Sequence, residues 1–132
     1  MPTTAVPSPD GAQRAAQPPD IRTPIYEIKA ELFKALGHPV RIRTLELLTS
    51  GAQPVSALIA DIGIEASHLS QHLAVLRRAQ VVTTQRSGNV VTYTLADPCI
   101  AELLDAAKAF LLHRLAATST ALADLTAAEP DQ

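Results

Sequence analysis

The 132-residue sequence has no tryptophan, two tyrosines, two phenylalanines and one cysteine. With aromatic residues at 3%, any core must be filled by Ala, Leu, Val and Ile, and 47% hydrophobic residues suffice for a modest one. The single cysteine, Cys99, excludes an intramolecular disulfide and any site needing two thiolates from one chain. No apolar run approaches the roughly 18 residues of a membrane span. The first residues carry Pro, Ser and Asp where a signal peptide needs a basic end and an apolar centre. The expectation is a cytoplasmic protein with no membrane partner. Also missing are a glycine-rich phosphate loop, a Gly-x-Ser-x-Gly turn and paired carboxylates in a setting that would tune them. The histidines His38, His68, His72 and His113 are scattered, with no evident nucleophile beside them. An enzyme is not expected.

Proline is plentiful at the front, where Pro2, Pro7, Pro9, Pro18 and Pro19 stand among Ala, Gln, Thr and Asp. Residues 1–23 are therefore expected to form a disordered tail, residues 24–127 one domain, and residues 128–132 an acidic tail. Thr23-Pro24 reads as an N-cap and first-turn pair, and Ile25, Ile28, Leu32, Ala35 and Leu36 recur at helical spacing up to Gly37. His38-Pro39 opens a second helix, ended by Gly51, whose Val40, Ile42, Leu45, Leu47 and Leu48 look too apolar all round for a surface position. Pro54 precedes a short helix, Val55 to Ile62, closed by Gly63. In Ala66 to Arg78, Leu69, Leu73 and Leu76 share one face, while Ser67, His68, Ser70, Gln71, Arg77 and Arg78 share the other. Val81 to Arg86 and Val90 to Leu95 are rich in β-branched residues and flank Ser87-Gly88-Asn89, which predicts a hairpin.

Helix, turn, polar helix and hairpin in that order predict a mainly α protein with a small β-hairpin wing, a winged helix-turn-helix. Asp97-Pro98 then caps a long last helix with Ile100, Leu103, Leu104, Ala107, Leu111, Leu115, Leu122 and Leu125 as its apolar stripe. So long an apolar face exceeds what one small domain covers, so a homodimer through the first and last helices is expected. The net charge of -2 conceals a division along the chain. Residues 66–95 hold Arg77, Arg78 and Arg86 and no acid, whereas residues 97–132 hold Asp97, Glu102, Asp105, Asp124, Glu129 and Asp131 against Lys108 and Arg114. Local sign is what a phosphate backbone meets, so the polar helix and hairpin suit double-stranded DNA.

Leu36, Gly37, Pro39 and Arg41, followed by Ser70, His72, Leu73 and Leu76 and then by the hairpin, resemble the ArsR/SmtB family of bacterial repressors from about Tyr26 to Leu115. The resemblance implies a homodimeric repressor on an inverted-repeat operator that lets go when an inducer arrives. For base edges in the major groove the candidates are Ser67, His68 and Gln71, the last able to pair with adenine through two hydrogen bonds. Ser70 and His72 match the family's Ser-x-His and are assigned to phosphate or helix-positioning contacts, with a buried, hydrogen-bonded role equally open for His72. Arg77 or Arg78 would hold backbone at the far end of the helix, and Arg86 and Asn89 would do so at the wing. Arg41 and Arg43 stand between phosphate contact and internal pairing with Glu46 or Glu31.

The family's Cys-x-Cys inducer site would fall on Pro54 and Ser56, which cannot hold a soft metal. Its second site, across the two last helices, would fall on Asp97, Cys99, Phe110 and His113. Asp97, Cys99 and His113 could bind zinc or nickel, but Phe110 removes a ligand, so no cofactor is expected and the metal reading is an alternative. Thiol oxidation at Cys99 and a winged-helix interaction module without DNA are the remaining alternatives. The inducer is unidentified.

Overall fold

A computed structural model describes residues 22–128. The proline-rich stretch 1–21 and the acidic end 129–132 lie outside the described residues. The chain divides into two compact units, the first ending at Asp97 and the second beginning at Pro98. Among the described residues no helix is long and apolar enough to cross a membrane.

The first unit contains α1 (Ile25–Leu36), α2 (Pro39–Leu48), β1 (Gln53–Pro54), α3 (Val55–Ile62), α4 (Ala66–Arg78), β2 (Val82–Ser87) and β3 (Val90–Leu95). Helix α1 begins one residue later than expected. Pro24 occupies the N-cap, with no side-chain cap, and its carbonyl accepts from the amides of Glu27 and Ile28. Ile25 does not join the inward stripe but is 64% exposed, together with Tyr26 and Phe33. At α2 the N-cap is His38, whose Nδ1 accepts from the Val40 amide at 3.1 Å while Pro39 fills the first helical position. Leu45 and Leu48 are buried and central, but the helix is not apolar all round: Arg43 and Glu46 face outward, and buried Thr44 donates to the Val40 carbonyl at 2.7 Å. The helix also ends at Leu48, before Gly51.

Helices α3 and α4 have the expected bounds. Gly63, at φ 75°, takes the left-handed conformation that ends α3 and turns the chain into α4. Leu69, Leu73 and Leu76 are all buried, as are Leu45 and Leu48 of α2, Leu58 of α3, and Val81, Val82 and Tyr93, which together make the core of the unit. Helix α4 ends in a Schellman arrangement. The Val81 amide donates to the Leu76 carbonyl and the Gln80 amide to that of Arg77, with Gln80 at φ 63° where glycine is usual.

The sheet is antiparallel in the order β1-β3-β2. Strand β1, pairing Gln53 with Tyr93 and Pro54 with Thr92, was not expected: two residues are too few to show alternation, and a proline without an amide is confined to an edge. The hairpin loop is shorter than expected, because Ser87 pairs with Val90 and only Gly88-Asn89 are free. Gly88 has φ 62°, and Asn89 is not among the positive-φ residues, the pattern of a type II′ turn.

The second unit contains α5 (Cys99–Ala128), 30 residues and about 45 Å of helix. The Pro98 carbonyl accepts from the amides of Ala101 and Glu102 and so makes the first helical bonds. From Asp105 to Ala127 every side chain is exposed, including Phe110, Leu111, Leu112, Leu115, Leu122 and Leu125.

Leu45→Ala, at a fully buried site, should lower unfolding free energy by about 2–5 kcal/mol in urea titration. Gln80→Gly should raise it by about 1 kcal/mol, because glycine takes the left-handed conformation without the strain that a β-carbon brings.

Candidate nucleic-acid interface

The three buried leucines of α4 fix what its other face shows. Ser67, His68, Ser70, Gln71, Arg77 and Arg78 are all exposed, with Ala74 half-buried between the serines and the arginines. Spacings of four and seven residues set Ser67, Gln71 and Arg78, and a spacing of seven sets Ser70 and Arg77, along one strip. No acidic residue lies in the first turn, although Glu65 occupies the N-cap without a side-chain bond to the helix. Two arginines end the helix, where the negative end of its dipole favours cations. On the wing, Thr83 to Val90 are exposed, with Arg86 opposite Val91 and Asn89 at the tip. The first unit thus presents a polar, cation-bearing helix and a hairpin tip.

His72 stands apart from this strip. It is half-buried, its ring centroid is 4.1 Å from that of His38, and its Nδ1 is 3.2 Å from Arg41 Nη1. A guanidinium has no acceptor, so Arg41 donates and His72 is held as the neutral Nε2–H tautomer. Burial, then His38, Arg41 and His68, lower its pKa from the ordinary 6.5. Arg41 Nε also donates to the Ala35 carbonyl at 2.6 Å and Nη2 to the Lys34 carbonyl at 3.3 Å, both in the last turn of α1, where the Lys34 carbonyl also accepts from the Gly37 amide. Arg43 turns away to Asp61 at 3.2 Å and Glu46 at 3.5 Å, while Glu31 pairs with Lys34. Of the pairings weighed, Arg43 makes the one with Glu46 and adds Asp61, whereas Arg41 pairs with neither glutamate and bonds to carbonyls and His72 instead. His38 escaped the sequence reading as a site residue. The available signal was its i,i+3 spacing to Arg41 on the first turn of α2.

The region from α2 into β2 carries the family signal. The family model "Bacterial regulatory protein, arsR family" matches residues 38–84. The uncharacterised HTH-type transcriptional regulator Rv0081 of Mycobacterium tuberculosis is 50% identical over 105 residues, which cover 79% of this chain and 92% of the relative. The chain belongs to the ArsR family. The crystal structure of the same relative superposes with a TM-score of 0.68 at 49% identity, covering 74% of this chain and 98% of that one. The HTH-type transcriptional repressor SmtB of M. tuberculosis is 38% identical over 97 residues, covering 70% of this chain and 72% of the relative. A solution structure described as the homodimeric winged helix-turn-helix DNA-binding domain of Mb0332 from Mycobacterium bovis gives a TM-score of 0.66 at 25% identity, covering 76% of this chain and 93% of that one. As an ArsR-family winged helix-turn-helix regulator, the protein has α3 and α4 as its helix-turn-helix and β2–β3 as its wing.

The possible metal ligands do not converge within one chain. Cys99 and His113 are fourteen residues apart on α5, about 21 Å of rise. Among the described residues no three His, Cys, Asp or Glu side chains are grouped to hold a metal. A zinc or nickel site from Asp97, Cys99 and His113 would need both copies of the chain. Pro54 lies in β1, and Ser56 is exposed in the first turn of α3.

The lowered pKa of His72 has a definite sign. The folded chain resists a proton that the unfolded chain accepts more readily, so the stability conferred by neutral His72 is complete above 6.5 and is lost as pH falls through the lower folded value. The urea midpoint should drop between about pH 7.5 and about pH 5.5, and His72→Gln should shrink that drop.

Proposed function

We propose that the protein is a sequence-specific transcriptional repressor that binds an inverted-repeat operator as a homodimer in the cytoplasm. The observation that carries this reading is the acid-free run 66–95, displayed as one exposed helix strip and one exposed wing. In this reading the N-terminal half of α4 enters the major groove, with Ser67, His68 and Gln71 at base edges. Ser70, Arg77 and Arg78 hold phosphates alongside, and Arg86 and Asn89 follow the flanking minor groove. SmtB is named a repressor, and the Mb0332 domain is described as homodimeric, which supports extending both properties to this chain. The exposed Ile25, Tyr26 and Phe33 of α1, and the apolar residues of α5 from Phe110 to Leu125, are the surfaces a second copy would cover. The relatives are regulators, which agrees with a protein that performs no catalysis.

The inducer, in this reading, is not a soft metal held near the start of α3, because Pro54 and Ser56 supply no thiolate there. With no cofactor assigned, a small molecule or a second protein is left to release the DNA.

Fluorescence anisotropy on the protein's own upstream DNA and on a scrambled duplex tests the assignment. Gln71→Ala should cost about 1–3 kcal/mol on the operator and relax base preference. Arg86→Ala should weaken both duplexes alike and reduce the salt slope by about one unit. Unchanged affinity in both variants would refute the assignment of the reading surface. In sedimentation equilibrium the wild type should show twice the 14.0 kDa of the chain, and Leu115→Glu combined with Leu122→Glu should shift it toward monomer.

A further inference from the structure

The two sequence motifs that carry the family resemblance meet in space. His38 and Arg41 come from the first turn of α2 and His72 from the middle of α4, and the Arg41 guanidinium bonds at once to His72 and to the last carbonyls of α1. We propose that Arg41 is a positioning residue that locks the reading helix to the end of α1, and that the lock holds only while His72 is neutral. The inference rests on the reading of α4 as the helix that enters DNA.

The geometry gives the reason. Nδ1 of His72 can accept from Arg41 only with its lone pair free; a proton there turns the acceptor into a second donor facing a guanidinium that has no acceptor. The contact then changes from a hydrogen bond to a like-charge encounter at 3.2 Å. The neighbours offer no relief. From α2, the His38 ring lies against that of His72 at a tilt of 39° and its own Nδ1 is occupied by the Val40 amide, while Arg43 is directed to Asp61 and Glu46. From α1, Lys34 and Glu31 are paired with each other at the surface and only backbone carbonyls face Arg41. From α4, His68 adds a further cation when protonated. None of the groups that act on His72 is a carboxylate, in keeping with its lowered pKa.

His72 directly follows Gln71 and lies one turn beyond His68, so a shift of this turn moves the candidate base contacts. Helix α1 lies at the other end of the same guanidinium and bears exposed Ile25, Tyr26 and Phe33, the surface assigned to the second copy. Arg41 therefore joins the dimer-forming helix to the reading helix through one side chain. Lysine cannot replace it, since a single ammonium lacks the planar fork that reaches two carbonyls and an imidazole together.

The test uses the full chain. Histidine NMR titration should place His72 below the ordinary imidazole range in the wild type and move it up in Arg41→Gln, whereas an arginine that merely capped α1 would leave His72 unmoved and overturn the proposal. In anisotropy, the ratio of upstream to scrambled-duplex affinity cancels the general gain in positive charge. That ratio should fall by up to about tenfold between about pH 8 and about pH 5, a window that runs below the ordinary 6.5 to where His72 takes its proton, and the factor is the scale of one hydrogen bond to a charged group. His72→Gln should flatten the profile, and Arg41→Lys should lower the ratio at both pH values. A ratio that rises with acid, as for a histidine bonded to phosphate, would overturn the proposal, as would His72→Gln retaining the wild-type slope. No selective binding at any pH would overturn the DNA reading itself and the proposal with it, an outcome distinct from selective binding without a pH slope.

Discussion

Burial of Leu69, Leu73 and Leu76 fixes the rotation of α4 about its axis, and the character of its exposed face follows from it. Each buried leucine is worth about 1.5–3 kcal/mol, so the stripe outweighs any single polar contact on the other side of the helix. Turning the helix by one residue would bring Ser70, Ala74 and Arg77 into the core, where polar groups without partners cost about 1–3 kcal/mol each and a charged one more. The polar strip therefore needs no interactions of its own to be displayed, and its side chains remain available for a ligand. The same stripe carries the chain through the Schellman turn at Gln80 into Val81 and Val82, whose burial anchors the wing.

A helix whose rotation is fixed by packing can still tilt or slide, and here the polar joint adds to the leucines. Arg41 satisfies carbonyls that end α1 and in the same span grips His72. It reads as a charged residue on a core helix, yet its hydrogen bonds to Lys34, Ala35 and His72 all stay within the fold. That accounts for its place beside Pro39 and His38 better than a role on phosphates does, while Arg43, two residues on, braces α2 against α3 through Asp61.

Much of this was legible in the sequence because it depends on local periodicity and turn chemistry. The bounds of α3 and α4 followed from leucine spacing and from Gly63, and the wing from two β-branched runs around Gly88. What was illegible depended on contacts distant in sequence or on backbone detail. Strand β1 exists only because β3 is beside it. The partner of Arg41 lies 31 residues away, and no periodicity signals it. Pro24 rather than Thr23 caps α1, a one-residue difference that composition cannot resolve. Ile25 is apolar and at the right interval for the inward stripe, yet in the first turn of α1 it is exposed. The polar face of α4 was legible as a surface; which of its atoms meet a base is not a property of one chain's sequence.

The central claim is that α4 and the wing read DNA twice, once from each copy. Hydroxyl-radical footprinting of the protein on its own upstream DNA tests it most directly. The account predicts two protected half-sites related by inverted symmetry, with centres about one helical turn or a small multiple of it apart, and flanking protection where the wings lie. A single protected site, or uniform protection that a scrambled duplex shows equally, would contradict it.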